Sequence, residues 1–355
     1  MIVAIGATTR TAPLSVSDHV TIVSGNGVAV SSIQGEITFP YDPSQPHLRK
    51  SVISLEDVTI DGNGRNVALT LSRYGGPARA RLRNVRFINY TGHAIVADGV
   101  AVDARGVTFA GDGRAVTVLG DAPFRLQNFT VTGGLGGFFT ANDGIRKTKI
   151  VLLNGVIDLG YQNRAGHETI ATFTDTSATL QDLPAGGLSF PDDAYTVLRA
   201  ERDGAVTLGR VTWAVGNTLT VTKWRTVANG PAPTPSAGTI RLVRRSAQDF
   251  GGVQLTGGVR GAVVENVTVR NSYSDAVTLA GAKCVARNCV AEGGQDMGFS
   301  VFGPHTLDGC TARNVQFNGF ISMDAGGGIL IGCKSEGNFL THTNDEWAHW
   351  TRVVP

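Results

Sequence analysis

From Val264 to Asn338 the hydrophobic and polar positions repeat one phrase four times: an apolar residue, a spacer, Asn or Gly, then an apolar residue or Cys. The copies VENVTVRN, ARNCVAEG, LDGCTARN and LIGCKSEG put Asn266, Asn288, Gly309 and Gly332 at a common reference position, 22, 21 and 23 residues apart. The same phrase occurs upstream in LEDVTIDG, LRNVRFIN, ARGVTFAG, LQNFTVTG and LNGVIDLG, with references at Asp57, Asn84, Gly106, Asn128 and Gly155. A fixed period near 22 is the mark of a solenoid.

Two rows in the nine copies are apolar. Two places before the reference stand Leu55, Leu82, Ala104, Leu126, Leu153, Val264, Ala286, Leu307 and Leu330. One place after it stand Val58, Val85, Val107, Phe129, Val156, Val267, Cys289, Cys310 and Cys333. Five places after it only glycine and asparagine occur, from Gly62 and Asn89 to Asn314 and Gly337. These residues tolerate a left-handed backbone, so every copy makes a corner there. Ahead of that corner apolar and polar positions alternate at the strand period of two. A further strand shows in AVTVLG at Ala115–Gly120 and AVTLAG at Ala276–Gly281. Short strands joined by left-handed corners predict an all-β chain wound as a right-handed parallel β-helix.

The order of textures divides the chain. Residues 1–50 alternate weakly and include the proline-rich FPYDPSQPHLRK, which predicts an N-terminal cap or adaptor over the open sheet edge. Residues 51–160 and 249–340 carry the coil, with longer turns expected to bulge at Tyr74–Arg79 and Ala141–Lys149. Between them, residues 161–248 lose the repeat, and strand-like runs separated by Asp-Gly and Gly-Asn predict an inserted antiparallel β domain. Residues 341–355 form a C-terminal cap or tail in which Trp347 and Trp350 either cover the last turn or stack on a sugar ring.

Composition narrows the classes. A net charge of +2 with 17% charged residues lacks the basic excess of a nucleic-acid-coating protein, and 42% hydrophobic residues exclude disorder. The opening MIVAIGATTRTAPLSVS is too short in its apolar run for a secretory signal or membrane span, so neither is expected. Of the four cysteines, Cys289, Cys310 and Cys333 share an inward row and predict a ladder of buried thiols; zinc is the alternative, but no C-x-x-C pair accompanies them.

Candidate chemistry falls in three places. Asp275, Asp296 and Asn318 lie 21 and 22 residues apart, which predicts one ladder at the start of a strand. Carboxylates about 4.8 Å apart repel, and one pKa rises. Asp275 and Asp296 could then act as acid and base in glycoside cleavage, hold Ca²⁺, or bond the corner backbone, with Asn318 a contact to the sugar. Apart from that calcium no cofactor or metal is expected. The row Arg270, Glu292, Arg313 and Glu336 reads as a surface salt-bridge ladder or as a polar face along which a polysaccharide lies. His93 and His305 are candidate bases.

The repeated phrase, with DGNG at Asp61–Gly64, resembles the pectate-lyase-like β-helices, an architecture shared by many phage tailspikes. The stretch Ala171–Val243, with VTWAVGNTLTVTKW and the closing GTIRLV, resembles a small β module of bacteriophage tail proteins. The hydrolase motifs N-T-D, D-D, G-H-G and R-I-K of polygalacturonases are missing in their family setting, since TGHA and GIRK stand here instead. No catalytic residue is therefore carried over. The resemblance implies a receptor-binding spike on the surface of a phage or phage-like particle, homotrimeric, recognising a bacterial surface polysaccharide and cleaving it if the acid pair is active. Its partners would be that polysaccharide and other virion or spike proteins, with no nucleic acid and no membrane insertion. A soluble polysaccharide lyase, glycoside hydrolase or epimerase of the same fold is the alternative, and a structural spike component linking other virion proteins is the second.

Overall fold

A computed structural model gives the structure of residues 52–72, 79–140, 148–160, 167–183, 195–202, 205–226, 231–244, 251–256, 258–294, 296–315, 318–322 and 327–338, with backbone strands between Ile2 and Thr38 and at Trp350–Val353. Phe39–Lys50, most of the two expected bulges and Trp347 lie outside the described residues.

The apolar rows wind the chain into a right-handed parallel β-helix, and no helix occurs among the described residues. A full turn lays down three strands, as Ala101–Arg105, Thr108–Ala110 and Arg114–Leu119 do. The first two strands of successive turns join a 20-stranded sheet, the long face, and the third strands join a 10-stranded sheet, the short face. Pairing is parallel and in register: Leu55 faces Leu82, Leu82 faces Ala104, and Ala104 faces Leu126. Every parallel step is about 4.8 Å, so a sequence period becomes a column.

The first corner explains the reference row. Asp57, Asn84, Asn128, Asn266 and Asn288 all have φ between 48° and 53°, and Gly106, Gly309 and Gly332 are left-handed as well. The Asn84 amide donates to Asp57 Oδ1 at 3.0 Å, and Asn266 donates to Asn154 Oδ1 at 3.0 Å, so the corner side chains bond one another up the coil. At the second corner Asn89, Gly133, Asn271, Gly293, Asn314 and Gly337 are left-handed, whereas Gly62 and Gly111 are not. There crowding is the reason for glycine: a Cβ at Gly111 would lie 2.7 Å from the Tyr90 ring.

One copy is corrected by a residue. Phe129 faces Gly155 and Leu126 faces Leu152, so the fifth corner is Asn154, with φ 53°, and not Gly155. A one-residue slip reverses inside and outside. Accordingly Leu152 is buried while Val156 is 37% exposed. Gly155 takes the inward position that valine or cysteine holds elsewhere, because the larger Phe129 fills the space: a Cβ on Gly155 would lie 2.1 Å from Phe129 Cζ.

The core is built of parallel columns of stacked side chains. Phe87 stacks on Phe109 with centroids 5.4 Å apart, and Phe299 on Phe320 at 5.0 Å. All four cysteines are free. Cys289 Sγ points at Val264 O at 3.4 Å, Cys310 at Ala286 O at 3.5 Å and Cys333 at Leu307 O at 3.3 Å, so each thiol reaches a carbonyl of the turn below. The thiol ladder is thus made of small apolar residues with weak S–H donors.

The coil also extends past its expected limits. Ile2–Ile5 pairs in parallel with Thr21–Ser24, which pairs with Val52–Glu56, so strands within the expected N-terminal cap continue the long face. At the other end Trp350–Val353 pairs in parallel with Gly328–Ile331.

The inserted stretch folds as a closed antiparallel barrel of six strands between His167 and Arg244. It has its own core, in which the Phe173 and Trp224 rings meet edge to face at 5.4 Å. The coil is unbroken across it: Phe138 pairs with Val253 and Leu152 with Val264.

Gly155→Ala is expected to destabilise the coil by about 1–3 kcal/mol in urea unfolding, through overpacking against Phe129. Phe129→Val in the same chain should recover most of that loss; an unchanged midpoint for Gly155→Ala would contradict the corrected register.

Candidate functional site on the short face

The short face has one inward row of small residues, Ala68, Ala94, Ala115, Gly137, Gly252, Ala276, Gly298 and Gly319, which follows from its registers. A Cβ on Gly252 would lie 2.2 Å from Val269 Cγ1, so the short sheet approaches the long one closely there. The residue just before each member of that row faces outward and forms the column Val67, His93, Arg114, Gly136, Gly251, Asp275, Met297 and Asn318.

Asp275 is positioned by the corner before it. Asn271 is left-handed, the buried Ser272 hydroxyl donates to Ser274 O at 2.8 Å, and the Ala276 N–H donates to Met297 O at 2.9 Å. Burial, and after it the charge of Asp296, raise the Asp275 pKa to about 6 against the pull of the Ser300 and Thr278 hydroxyls and the Met297 N–H. Thr278 Oγ1 donates to Asp275 Oδ2 at 3.3 Å. Asp296 is only 7% exposed.

The expected single ladder is corrected in detail. Val277 pairs with Phe299 and Phe299 with Phe320, which aligns Asp275 with Met297 and Asn318. Asp296 precedes Met297 and stands level with Ser274, because its separation of 21 from Asp275 is one short of the strand register. The two carboxyls are electrostatic neighbours across adjacent turns all the same. Asn318 stands two turns along Asp275's own column, beyond Met297, and its buried Oδ1 has no hydrogen-bond partner among the described residues.

The remaining candidates stand elsewhere. Arg270, Glu292, Arg313 and Glu336 are in register on the long face. Glu292 accepts a hydrogen bond from Arg270 Nε and forms an ion pair with Arg313, each at 3.2 Å, which makes this row a surface ion-pair ladder around the corner from Asp275. Trp350 is on the added C-terminal strand, and Trp347 is outside the described residues. His305 is structural: its Nδ1 accepts from the Cys284 N–H at 3.1 Å, so its Nε2 carries the proton and donates to Phe302 O at 3.0 Å.

His93 shares the outward column with Asp275 but lies four levels away, about 19 Å. Its Nδ1 meets Thr117 Oγ1 at 2.9 Å, and burial followed by the charge of Arg114 lowers its pKa. Arg114 is 8% exposed and sits 4.2 Å over the Phe139 ring. Gly136 and Gly251 carry no side chain between this cationic end and the acid pair. The signal for this column lay in the small row beside it, which the repeated phrase does not include.

Calcium takes about six to eight oxygen ligands. Two carboxyls with the Ser300 and Thr278 hydroxyls fall short of that set, and no group of three or more His, Cys, Asp or Glu converges among the described residues. The chemistry the arrangement offers is acid and base.

No protein-family model matches the chain, and no curated relative matches it. Among solved structures, the chain is similar to the catalytic unit of a thermostable GH87 alpha-1,3-glucanase from Streptomyces thermodiastaticus, at 13% identity and TM-score 0.44, covering 98% of this chain and 64% of that one. It is similar to the ORF18 protein of Geobacillus virus E2, at 13% identity and TM-score 0.39, covering 95% and 52%. An alginate lyase from a Paenibacillus species is similar at 11% identity and TM-score 0.38, covering 94% and 95%. The chain therefore spans about half of the viral protein and less than two-thirds of the glucanase unit.

Proposed function

We propose that this chain is a glycan-recognising β-helix of a phage or phage-like particle spike, and that its Asp275–Asp296 pair cuts the bound bacterial surface polysaccharide. The observation that carries the reading is the acid pair itself: a carboxyl with its pKa pushed up to about 6 beside a second, buried carboxyl, on an outward column of a rigid sheet. A carboxyl that keeps its proton beside a second carboxyl can divide the labour of glycoside hydrolysis with it. Protonated Asp275 gives its proton to the glycosidic oxygen as the bond from that oxygen to the anomeric carbon breaks. Asp296 assists attack at that carbon, and water supplies the new hydroxyl while its other proton returns to the pair.

The spike setting rests on the inserted module, whose sequence resembles phage tail modules. A homotrimer belongs to the same resemblance, and with three copies many weak sugar contacts add up. No helix among the described residues is long and apolar enough to cross a membrane.

The raised pKa has a consequence for stability. Between pH about 3.8 and about 6 folded Asp275 keeps a proton that the unfolded chain has released, so stability falls as pH rises through that window. Asp275→Asn removes the cost of ionising the site. The variant is expected to gain about 1–3 kcal/mol at pH 8 and almost nothing at pH 4, read from thermal melts at the two values.

Incubated with capsular polysaccharide or lipopolysaccharide from a panel of bacteria, the wild type is expected to shorten a cognate chain, measured by size-exclusion chromatography. The rate should fall as pH rises through about 6, where the acid is lost. Asp275→Asn and Asp296→Asn should each lose at least about a hundredfold in rate while still binding the polymer. Full cleavage by either variant would remove the pair from the mechanism.

A further inference from the structure

The long face carries a second feature, on the opposite strand of the turn from the ion-pair ladder. Registers place Arg79 beside Ala101 and Arg81 beside Asp103, and then Asp103 beside Arg125. The Val102 N–H donates to Pro123 O at 2.9 Å and the Phe124 N–H to Lys149 O at 3.0 Å, which brings Pro123 and Lys149 into the Arg79 column. The outcome is a cleft of about 400 Å³ with Arg79 and Arg81 at one lip and Arg125 and Lys149 at the other. Small Ala101 and flat Pro123 lie between the lips, and three levels separate Arg79 from Lys149, about 14 Å.

Among the described residues nothing compensates the charge of this cleft. Its one acid among the described residues, Asp103, is already engaged: Arg83 Nη2 bonds Oδ2 at 2.5 Å, and Arg105 Nε approaches Oδ1 at 3.4 Å. Burial works the other way, but these two arginines hold the Asp103 carboxyl below its ordinary pKa, so it stays charged and directed at them. Among the described residues no carboxylate pairs with Arg79, Arg81, Arg125 or Lys149, and all four are exposed. Elsewhere on the same face arginines alternate with acids, as Arg270, Glu292 and Arg313 do. Four cations with no carboxylate partner among the described residues, around a trough with a small-residue floor, suit a chain bearing repeated anionic groups, since guanidinium forks grip carboxylate, sulfate or phosphate oxygens in pairs.

We infer that this cleft is an anion-selective glycan site, which binds the acidic substituents of a polysaccharide and so selects charged polymers over neutral ones. The ligand class rests on the glycan reading of the coil; the site itself is independent of catalysis at Asp275 and Asp296, which lie on the other face. Arg81 and Arg125 stand two levels apart, about 10 Å, and Arg79 and Lys149 three levels apart, about 14 Å, so the cations lay the polymer parallel to the coil. The contacts are exposed, so they weaken with salt on the Debye scale.

The test uses the full chain and three probes: polygalacturonate, a size-matched neutral dextran and single-stranded oligothymidylate, each titrated by calorimetry at low and high salt. Wild type and Asp275→Asn are expected to bind polygalacturonate alike and dextran far more weakly. The folded quadruple variant Arg79→Ala, Arg81→Ala, Arg125→Ala, Lys149→Ala should bind polygalacturonate at least about tenfold more weakly. A control, Arg287→Ala, lies outside the cleft and should bind as wild type does. Since all four positions are exposed, the variant's melting temperature verifies its fold. Equal binding of polygalacturonate by the folded quadruple variant overturns the proposal, as does oligothymidylate binding as tightly as the glycan. If the quadruple variant keeps full affinity for a bacterial surface polysaccharide that the wild type binds, the cleft assignment fails and the glycan reading survives; if the wild type binds no glycan, both fail.

Discussion

Parallel backbone hydrogen bonding from one turn to the next is the constraint on which everything else here depends. It holds only if each turn spends the same number of residues between corners or expels the surplus, because a slip of one residue would turn the core outward. The left-handed first corner enforces that count. At Asp57, Asn84, Asn128, Asn154, Asn266 and Asn288 the side chain is short and polar, tolerates positive φ, and in several turns bonds the corner below. The barrel between His167 and Arg244 shows how strong the constraint is: an inserted domain leaves the pairing of Leu152 with Val264 intact.

Once the register is fixed, side chains distant in sequence become columns, and chemistry appears wherever a column faces out. Asp275 meets Asp296 on the short face because adjacent turns stack, and the low solvent access of that site turns proximity into a shifted pKa. On the long face the same stacking produces opposite results at two columns. Arg270, Glu292 and Arg313 neutralise one another and leave a solvated surface ladder of small energetic worth. Arg79, Arg81, Arg125 and Lys149 surround a cleft whose only acid among the described residues is committed to Arg83 and Arg105. Local charge balance, rather than the count of charges, separates a stabilised surface from a binding site.

Much of the fold was legible in the sequence because its signal is positional. Inward rows such as Leu55, Leu82 and Ala104 repeat at a fixed place beside a residue that must turn left-handed, and both features follow from backbone sterics. The misplaced fifth corner shows the limit: LNG offers two residues able to turn, and only the packing of Phe129 over Gly155 decides that Asn154 does so. The acid pair was visible as a spacing of 21, but its register is 22, so the neighbourhood could be read and the alignment could not. Arg114 and the basic cleft were hidden for a different reason. Their columns lie outside the repeated phrase, and nothing in the spelling of Arg79 or Lys149 tells that three turns bring them to one trough.

A carbon-13 titration of the Asp275 carboxyl tests the central claim most directly, since its pKa depends on stacked turns, on burial and on Asp296 at once. The account predicts an apparent value near 6 in the wild type, shifting down in Asp296→Asn while staying above the ordinary 3.8 because burial remains. A value near 3.8 in the wild type, or one that ignores the Asp296 substitution, would contradict it.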